Sequence, residues 1–139
     1  MQALNLPTYS FKIKSDKGVE YIFDRFRQKY VKLTPEEWVR QHFAEYLVEE
    51  KGFPRGRIVL EYAMHYNRMK KRCDILVFDQ HMQAQFMVEC KAPGVKTGRD
   101  AFDQAAVYNQ VFKLKYLAVT NGMEHYCCRI DSELSLIHI

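Results

Sequence analysis

Apolar and polar positions change period several times along the chain, and each change marks an element. Tyr9-Ser10-Phe11-Lys12-Ile13-Lys14 alternates, Asp16-Lys17-Gly18 is a turn signal, and Val19-Glu20-Tyr21-Ile22-Phe23 alternates back, which predicts a small N-terminal β-hairpin. The basic stretch Arg25-Phe26-Arg27-Gln28-Lys29-Tyr30 interleaves aromatic side chains in a way nucleic acid could use, but it reads as a solvated connector with no site role. Thr34-Pro35-Glu36-Glu37 then starts a helix: Thr34 suits the N-cap, Pro35 the first helical position and Glu37 the return leg of a capping box. Val39, Phe43, Tyr46 and Leu47 recur at helical spacing as its buried stripe, and Gly52-Phe53-Pro54 stops it after about residue 50.

Residues 57–66 read as a long strand and 67–71 as a basic turn. Two runs of strand formers follow, Arg72-Cys73-Asp74-Ile75-Leu76-Val77-Phe78 and Phe86-Met87-Val88-Glu89-Cys90-Lys91, joined by the polar stretch 79–85 as a hairpin. Ala92-Pro93-Gly94 breaks the pattern, and 99–112 is a second helix with Ala101, Ala105, Tyr108 and Phe112 as its stripe. Gln104 lies on that same face, four residues before Tyr108, and needs a polar partner there. Residues 115–120 form a strand, Asn121-Gly122 a tight turn, and 124–130 a returning strand. The passage from Lys91 through the second helix to Lys115 has the length of a right-handed βαβ crossover, so the fold class is α/β: a central mixed β-sheet flanked by helices, with a small N-terminal hairpin. The expected organisation is an N-terminal extension, 1–30, followed by one compact unit, 31–139.

Composition narrows the classes. The 139 residues, 47% hydrophobic and 14% aromatic, suffice for one packed core, and 21 basic against 17 acidic residues leave a formal charge of +4 that permits a nucleic-acid partner. No apolar run approaches a membrane span and the first residues lack a signal-peptide pattern, so the expectation is a cytoplasmic protein with no membrane partner. The four cysteines, at 73, 90, 127 and 128, have no C-x-x-C spacing and read as free thiols. His65 has no companion at metal spacing, and Val95-Lys96-Thr97-Gly98 lacks the spacing of a phosphate loop, which excludes nucleotide binding of that kind.

The central hairpin carries the chemistry. A four-residue connection at 80–83 pairs Asp79 with Ala84 and Phe78 with Gln85, and counting back sets Asp74 opposite Glu89, with Lys91 one step on along the same face. Directly opposed like charges are destabilising, so the pair calls for a proton, a cation or solvent. Two acidic oxygen donors beside an ammonium suit Mg²⁺ and a phosphate ester. Arg72 falls on the Asp74 face by period two, and Arg68, Lys70, Lys71 and Arg72 are candidate phosphate contacts, although a solvated turn accounts equally for Arg68, Lys70 and Lys71.

Asp74 followed after the hairpin by Glu89-Cys90-Lys91 resembles the motif of the PD-(D/E)xK nuclease superfamily, with Cys73 where the family has proline. Glu36-Glu37-Trp38-Val39-Arg40, Gly52-Phe53-Pro54, Lys71-Arg72-Cys73-Asp74, Val88-Glu89-Cys90-Lys91-Ala92-Pro93 and Val119-Thr120-Asn121-Gly122 together resemble the N-terminal nuclease domain of type I restriction enzyme R subunits, over about 34–129. The Gln104 to Tyr108 spacing is similar to the Q-x-x-x-Y element of RecB-like members. The resemblance implies a restriction-endonuclease-like core and metal-dependent cleavage of DNA, with Mg²⁺ as cofactor and Mn²⁺ as substitute. Asp74, Glu89, Lys91, Gln104 and Tyr108 would be catalytic, and Asp74, Glu89 and the Cys90 main-chain carbonyl would hold the ion. Glu36 would add a further ligand, helix-dipole stabilisation being its alternative role. In the family an ATP-dependent motor follows this domain, and the resemblance leaves open a free-standing protein, a subunit served by a separate ATP-dependent motor or restriction–modification subunits, or a fragment, with DNA as the partner in each case. The alternative is a non-cleaving nucleic-acid-binding or assembly module on the same fold.

Overall fold

A computed structural model describes residues 1–66, 68–98, 103, 107, 112–130 and 136–138. Its first sheet is antiparallel, with β1 (Ile13–Asp16), β2 (Val19–Asp24) and β3 (Lys29–Lys32) in that order. Lys17 and Gly18 both take positive φ, 51° and 80°, as a two-residue hairpin turn requires. The expected hairpin is present but begins later than residue 9 and gains a third strand, because the stretch read as a connector folds back. Asp24 Oδ1 accepts from the backbone N–H groups of Phe26 and Arg27, at 2.7 and 3.0 Å, an Asx turn that brings Lys29 opposite Asp24.

Helix α1 (Pro35–Glu49) starts as its residues dictate: Thr34 is extended, and its Oγ1 accepts from Glu37 N at 3.0 Å. The expected return leg from Glu37 is replaced, since that carboxylate binds Arg27, Arg40 and Gln41 instead. Val39, Phe43, Ala44 and Leu47 enter the core, and Phe53 N donates to Leu47 O at 3.0 Å as the chain leaves the helix.

A short 3₁₀ turn (Arg55–Arg57) leads to the second sheet, which comprises β4 (Ile58–Tyr66), β5 (Met69–Phe78), β6 (Ala84–Cys90), β7 (Tyr116–Thr120), β8 (His125–Ile130) and β9 (Leu136–His138), in that spatial order. Neighbours are antiparallel except β6 and β7, which run parallel, so the sheet is mixed. Between these two strands Asp103, Val107 and Phe112 are helical, while Gln104 and Tyr108 lie outside the described residues. Ile75, Val88 and Ala118 pack on the α1 side of the sheet; Leu76, Met87 and Leu117 pack on the other side with Leu114 and Phe112.

Two expectations shift. The basic turn expected over 67–71 is shorter, because β5 already begins at Met69 and places Lys70 and Lys71 on the strand. The central hairpin also turns differently: Phe78 pairs with Ala84, Asp79 N donates to Gln83 O at 2.8 Å, and a register shift follows before Val77 pairs with Phe86. The shift leaves one extra residue in β6, which restores the expected count over the inner half of the hairpin, where Ile75 pairs with Val88. No helix among the described residues is long and apolar enough to cross a membrane.

The N-terminal segment closes over the assembly. Asn5 N donates to Gly122 O and Trp38 Nε1 to Gln2 O, both at 2.8 Å, and Leu4 and Leu6 pack against the α1 core. Gly122 has φ 85°, and a Cβ there would meet Leu4 Cδ2 at 2.7 Å. Gly122→Ala is therefore expected to lower stability by about 1–2 kcal/mol, the left-handed backbone dominating. Urea unfolding checks this, and the loss should persist in a Leu4→Ala background, which removes the contact with Leu4 but leaves Val39 Cγ2 at 3.1 Å and the backbone conformation as they are.

Candidate active site

The inner register of the central hairpin, carried one step beyond Ile75 and Val88, sets Asp74 on β5 opposite Glu89 on β6. Both residues are buried, at 8% and 9% exposure. Cys90 N donates to Asp74 Oδ2 at 2.8 Å, and Arg40 Nη2 donates to Asp74 Oδ1 at 2.7 Å, so the carboxylate is held from both sides. Glu89 is less well supplied: its Oε1 is buried with no hydrogen-bond partner. Burial first, and then the neighbouring Asp74, push the Glu89 carboxyl from 4.5 up to about 8, with Lys91 pulling the other way. Because Arg40 pairs with Asp74 and no ion pair to Glu89 is found among the described residues, Glu89 is the carboxyl of the two that favours a proton near neutral pH.

Sequence reasoning gave no role to the side chain that organises the surroundings. Arg40, on α1 beside the buried stripe, meets Glu37 Oε1 at 2.5 Å, Glu61 Oε1 at 2.6 Å, Asp74 Oδ1 at 2.7 Å and Glu36 Oε1 at 3.0 Å. Burial opposes its charge, but Glu37 and Asp74 more than offset that, and its pKa lies above the ordinary value. Glu36 and Glu37, four and three residues before Arg40, are the local signal for two of these contacts. Glu61 had no such signal. It sits in β4 with φ 55°, a strained backbone for a non-glycine residue. Leu60 and Ile75 face the α1 core while Tyr62 and Cys73 belong to the opposite cluster, so strict alternation fails on both strands at Glu61 and Asp74.

The structure thus gathers Asp74, Glu89, Glu36 and Lys91. Glu36, with a side chain 48% exposed, has its pKa raised by partial burial and by Asp74, against Arg40 and Lys91. Lys91 is half-buried, its charge acts on both Glu89 and Glu36, and its backbone N–H donates to Thr120 O on β7 at 2.8 Å. The Cys90 side chain points into the α1 core, which leaves only its main chain for the site. Lys70 and Arg72 are exposed on β5 and Lys71 is half-buried; Arg72 Nη1 lies 3.7 Å from Glu61 Oε2. Gln104 and Tyr108 fall outside the described residues. Among the described residues no three His, Cys, Asp or Glu side chains are grouped as a ready metal shell. The donor set nevertheless suits a hard cation, being carboxylate oxygens with one buried oxygen unpartnered, to be completed by main-chain carbonyl and water.

An acid on one strand and an acid-x-lysine on the next, in a mixed sheet with further acids supplied by the first helix, define an α/β domain built around an acidic pair. The chain belongs to the type I restriction enzyme R protein N-terminus family, whose pattern matches residues 35–138 and leaves the first sheet outside. No curated protein matches it.

The Glu89 shift has a sign that stability measurements can read. Without metal the folded chain keeps a proton that the unfolded chain releases above about 4.5, so stability is expected to fall as pH rises from there through about 8. The slope should approach that of one proton, about 1.4 kcal/mol per pH unit. Glu89→Gln should flatten that segment of the stability profile and be slightly more stable than wild type at pH 8 in chelator. A profile unchanged by the substitution would place the proton elsewhere.

Proposed function

We propose that the domain is a Mg²⁺-dependent endonuclease that hydrolyses DNA phosphodiester bonds, with Mn²⁺ able to substitute. The observation that supports this most is the buried carboxyl pair, Asp74 and Glu89, with an unpartnered oxygen and a lysine beside it. Asp74, Glu89 and the Cys90 main-chain carbonyl hold the ion in this proposal, and Glu36 adds a ligand from α1. A cation there would polarise a phosphate ester and acidify water. Asp74 is fixed by Arg40 and the Cys90 N–H, so its carboxylate does not need to reorganise. Lys91 orients the attacking water or stabilises charge developing on the phosphate. Lys70, Lys71 and Arg72, which precede Asp74 on β5, contact backbone phosphates. Gln104 and Tyr108, which lie outside the described residues, are the further groups that support the site in this proposal. DNA is the partner, with a separate ATP-dependent motor or restriction–modification subunits beside it, in the cytoplasm.

One observation favours a second reading, a non-cleaving nucleic-acid-binding or assembly module. Arg40 already supplies the carboxylates with a buried counter-ion, so part of the cluster is satisfied without metal.

Plasmid nicking separates the two. Wild type is expected to nick DNA with Mg²⁺ or Mn²⁺ and not with chelator, while Asp74→Ala and Glu89→Gln fold but do not cleave. A wild type that binds DNA yet never nicks it supports the module. Gln104→Ala is expected to cleave at least about tenfold more slowly while still binding DNA at low salt, the low end for loss of a group that supports metal ligands. Cleavage at the wild-type rate would confine Gln104 to packing.

A further inference from the structure

We infer that the solvent face of the β1–β3 sheet is a docking platform for single-stranded DNA. Strand pairing divides this sheet cleanly. Ile13, Ile22 and Val31 stand opposite one another on one face, and Ile22 and Asp24 are buried there. The alternate positions share the other face: Lys14, Tyr21 and Lys32 lie in register, as do Phe23 and Tyr30, and Phe23 N donates to Lys12 O to extend the row. That face therefore carries three aromatic rings and three lysines.

The rings and ammoniums are interleaved. Lys14 Nζ lies 4.2 Å from the Tyr30 ring centre and Lys12 Nζ 6.0 Å from that of Phe23, while Phe23 and Tyr30 meet edge to face at 5.2 Å. Tyr30 is 38% exposed, Tyr21 and Phe23 are half-exposed, and all three lysines are exposed. The acid on this face is Asp16, at the turn end. A polymer that alternates anions with flat rings complements such a surface, because phosphates pair with the lysines while unstacked bases stack on the rings. A duplex offers only the phosphates, since its bases are already stacked. The face lies outside the stretch that matches the family.

The platform is not loosely attached. Arg27 is ion-paired to Asp24 on β2 and to Glu37 on α1, and Glu37 in turn holds Arg40 against Asp74. A strand seated on β1–β3 is thus joined through two ion pairs to the helix that carries Arg40. The inference concerns binding alone and stands whether or not the acidic pair cleaves.

The test is fluorescence anisotropy of a labelled oligothymidylate of about 12 nucleotides, within the usual site size for such surfaces. It uses the full chain in EDTA, so that cleavage plays no part, and nicking is assayed separately. Tyr30→Ala, at an exposed ring, is expected to weaken binding about tenfold, near the lower end for one stacked base. Lys14→Gln is expected to reduce the dependence of log K on log salt by about 0.7, the loss of one phosphate contact on a single strand. Should Tyr30→Ala unfold, Lys14→Gln and Lys12→Gln decide the matter. Wild-type affinity and salt slope in these variants would overturn the platform. So would a duplex that competes as well as the single strand, or an oligouridylate that binds more tightly than the oligothymidylate.

Discussion

A guanidinium buried among four carboxylates is the contact on which the other placements depend. Arg40 ties Glu36 and Glu37 of its own helix to Glu61 on β4 and Asp74 on β5. Without a cation at that point, the buried carboxylate of Asp74 would stand unpaired and that of Glu37 would be left with Arg27, beside the partly exposed Glu61, at a cost of several kcal/mol per buried unpaired ion. The contact therefore sets the approach of α1 to β4 and β5 alongside the apolar packing of Val39, Phe43 and Leu47. It also accounts for the unusual backbone of Glu61. A left-handed residue inside a strand persists where its surroundings over-determine it, and here the Glu61 carboxylate meets both Arg40 and Arg72.

This network joins parts of the chain that secondary structure alone would leave separate. From Asp24 the path runs through Arg27, Glu37 and Arg40 to Asp74, across two sheets and a helix. The N-terminal sheet is outside the matched family region, yet its turn supplies one of the groups that hold Glu37 in place. Changes in either sheet can thus be felt at the carboxyl pair through fixed charges rather than through apolar contact.

What could be read from the residues was whatever depends on neighbours in sequence. Thr34 and Pro35 mark the start of α1 because capping is local, and the parallel return of β7 beside β6 follows from the length of the connection between them. The opposition of Asp74 and Glu89 came from counting across the hairpin, and there two errors cancelled: the turn is one residue longer than assumed, and the extra residue in β6 absorbs it. The pairing of Arg40 with Glu61 and Asp74 was not legible, because an ion pair between a helix and a strand distant in sequence leaves no periodic trace, and a positive φ at glutamate has no propensity signal. β3 was missed because Asp24 forms its turn with a side chain rather than with glycine or proline.

The parallel pairing of β6 with β7 bears on how the chain is made. β4, β5 and β6 form a meander that can close as soon as it is synthesised, whereas β7 reaches β6 only after the whole crossover has followed. During that interval β6 is an open edge whose Met87, Val88 and Cys90 are destined for the interior, the kind of segment that recruits other chains into aggregates. Glu89 lies within that edge and Lys91 just past its end, where charge discourages such pairing. Whatever they do in the finished domain, Glu89 and Lys91 thus also put charge on the exposed edge of the nascent one, and a variant that neutralises both would leave that edge open to other chains until β7 arrives.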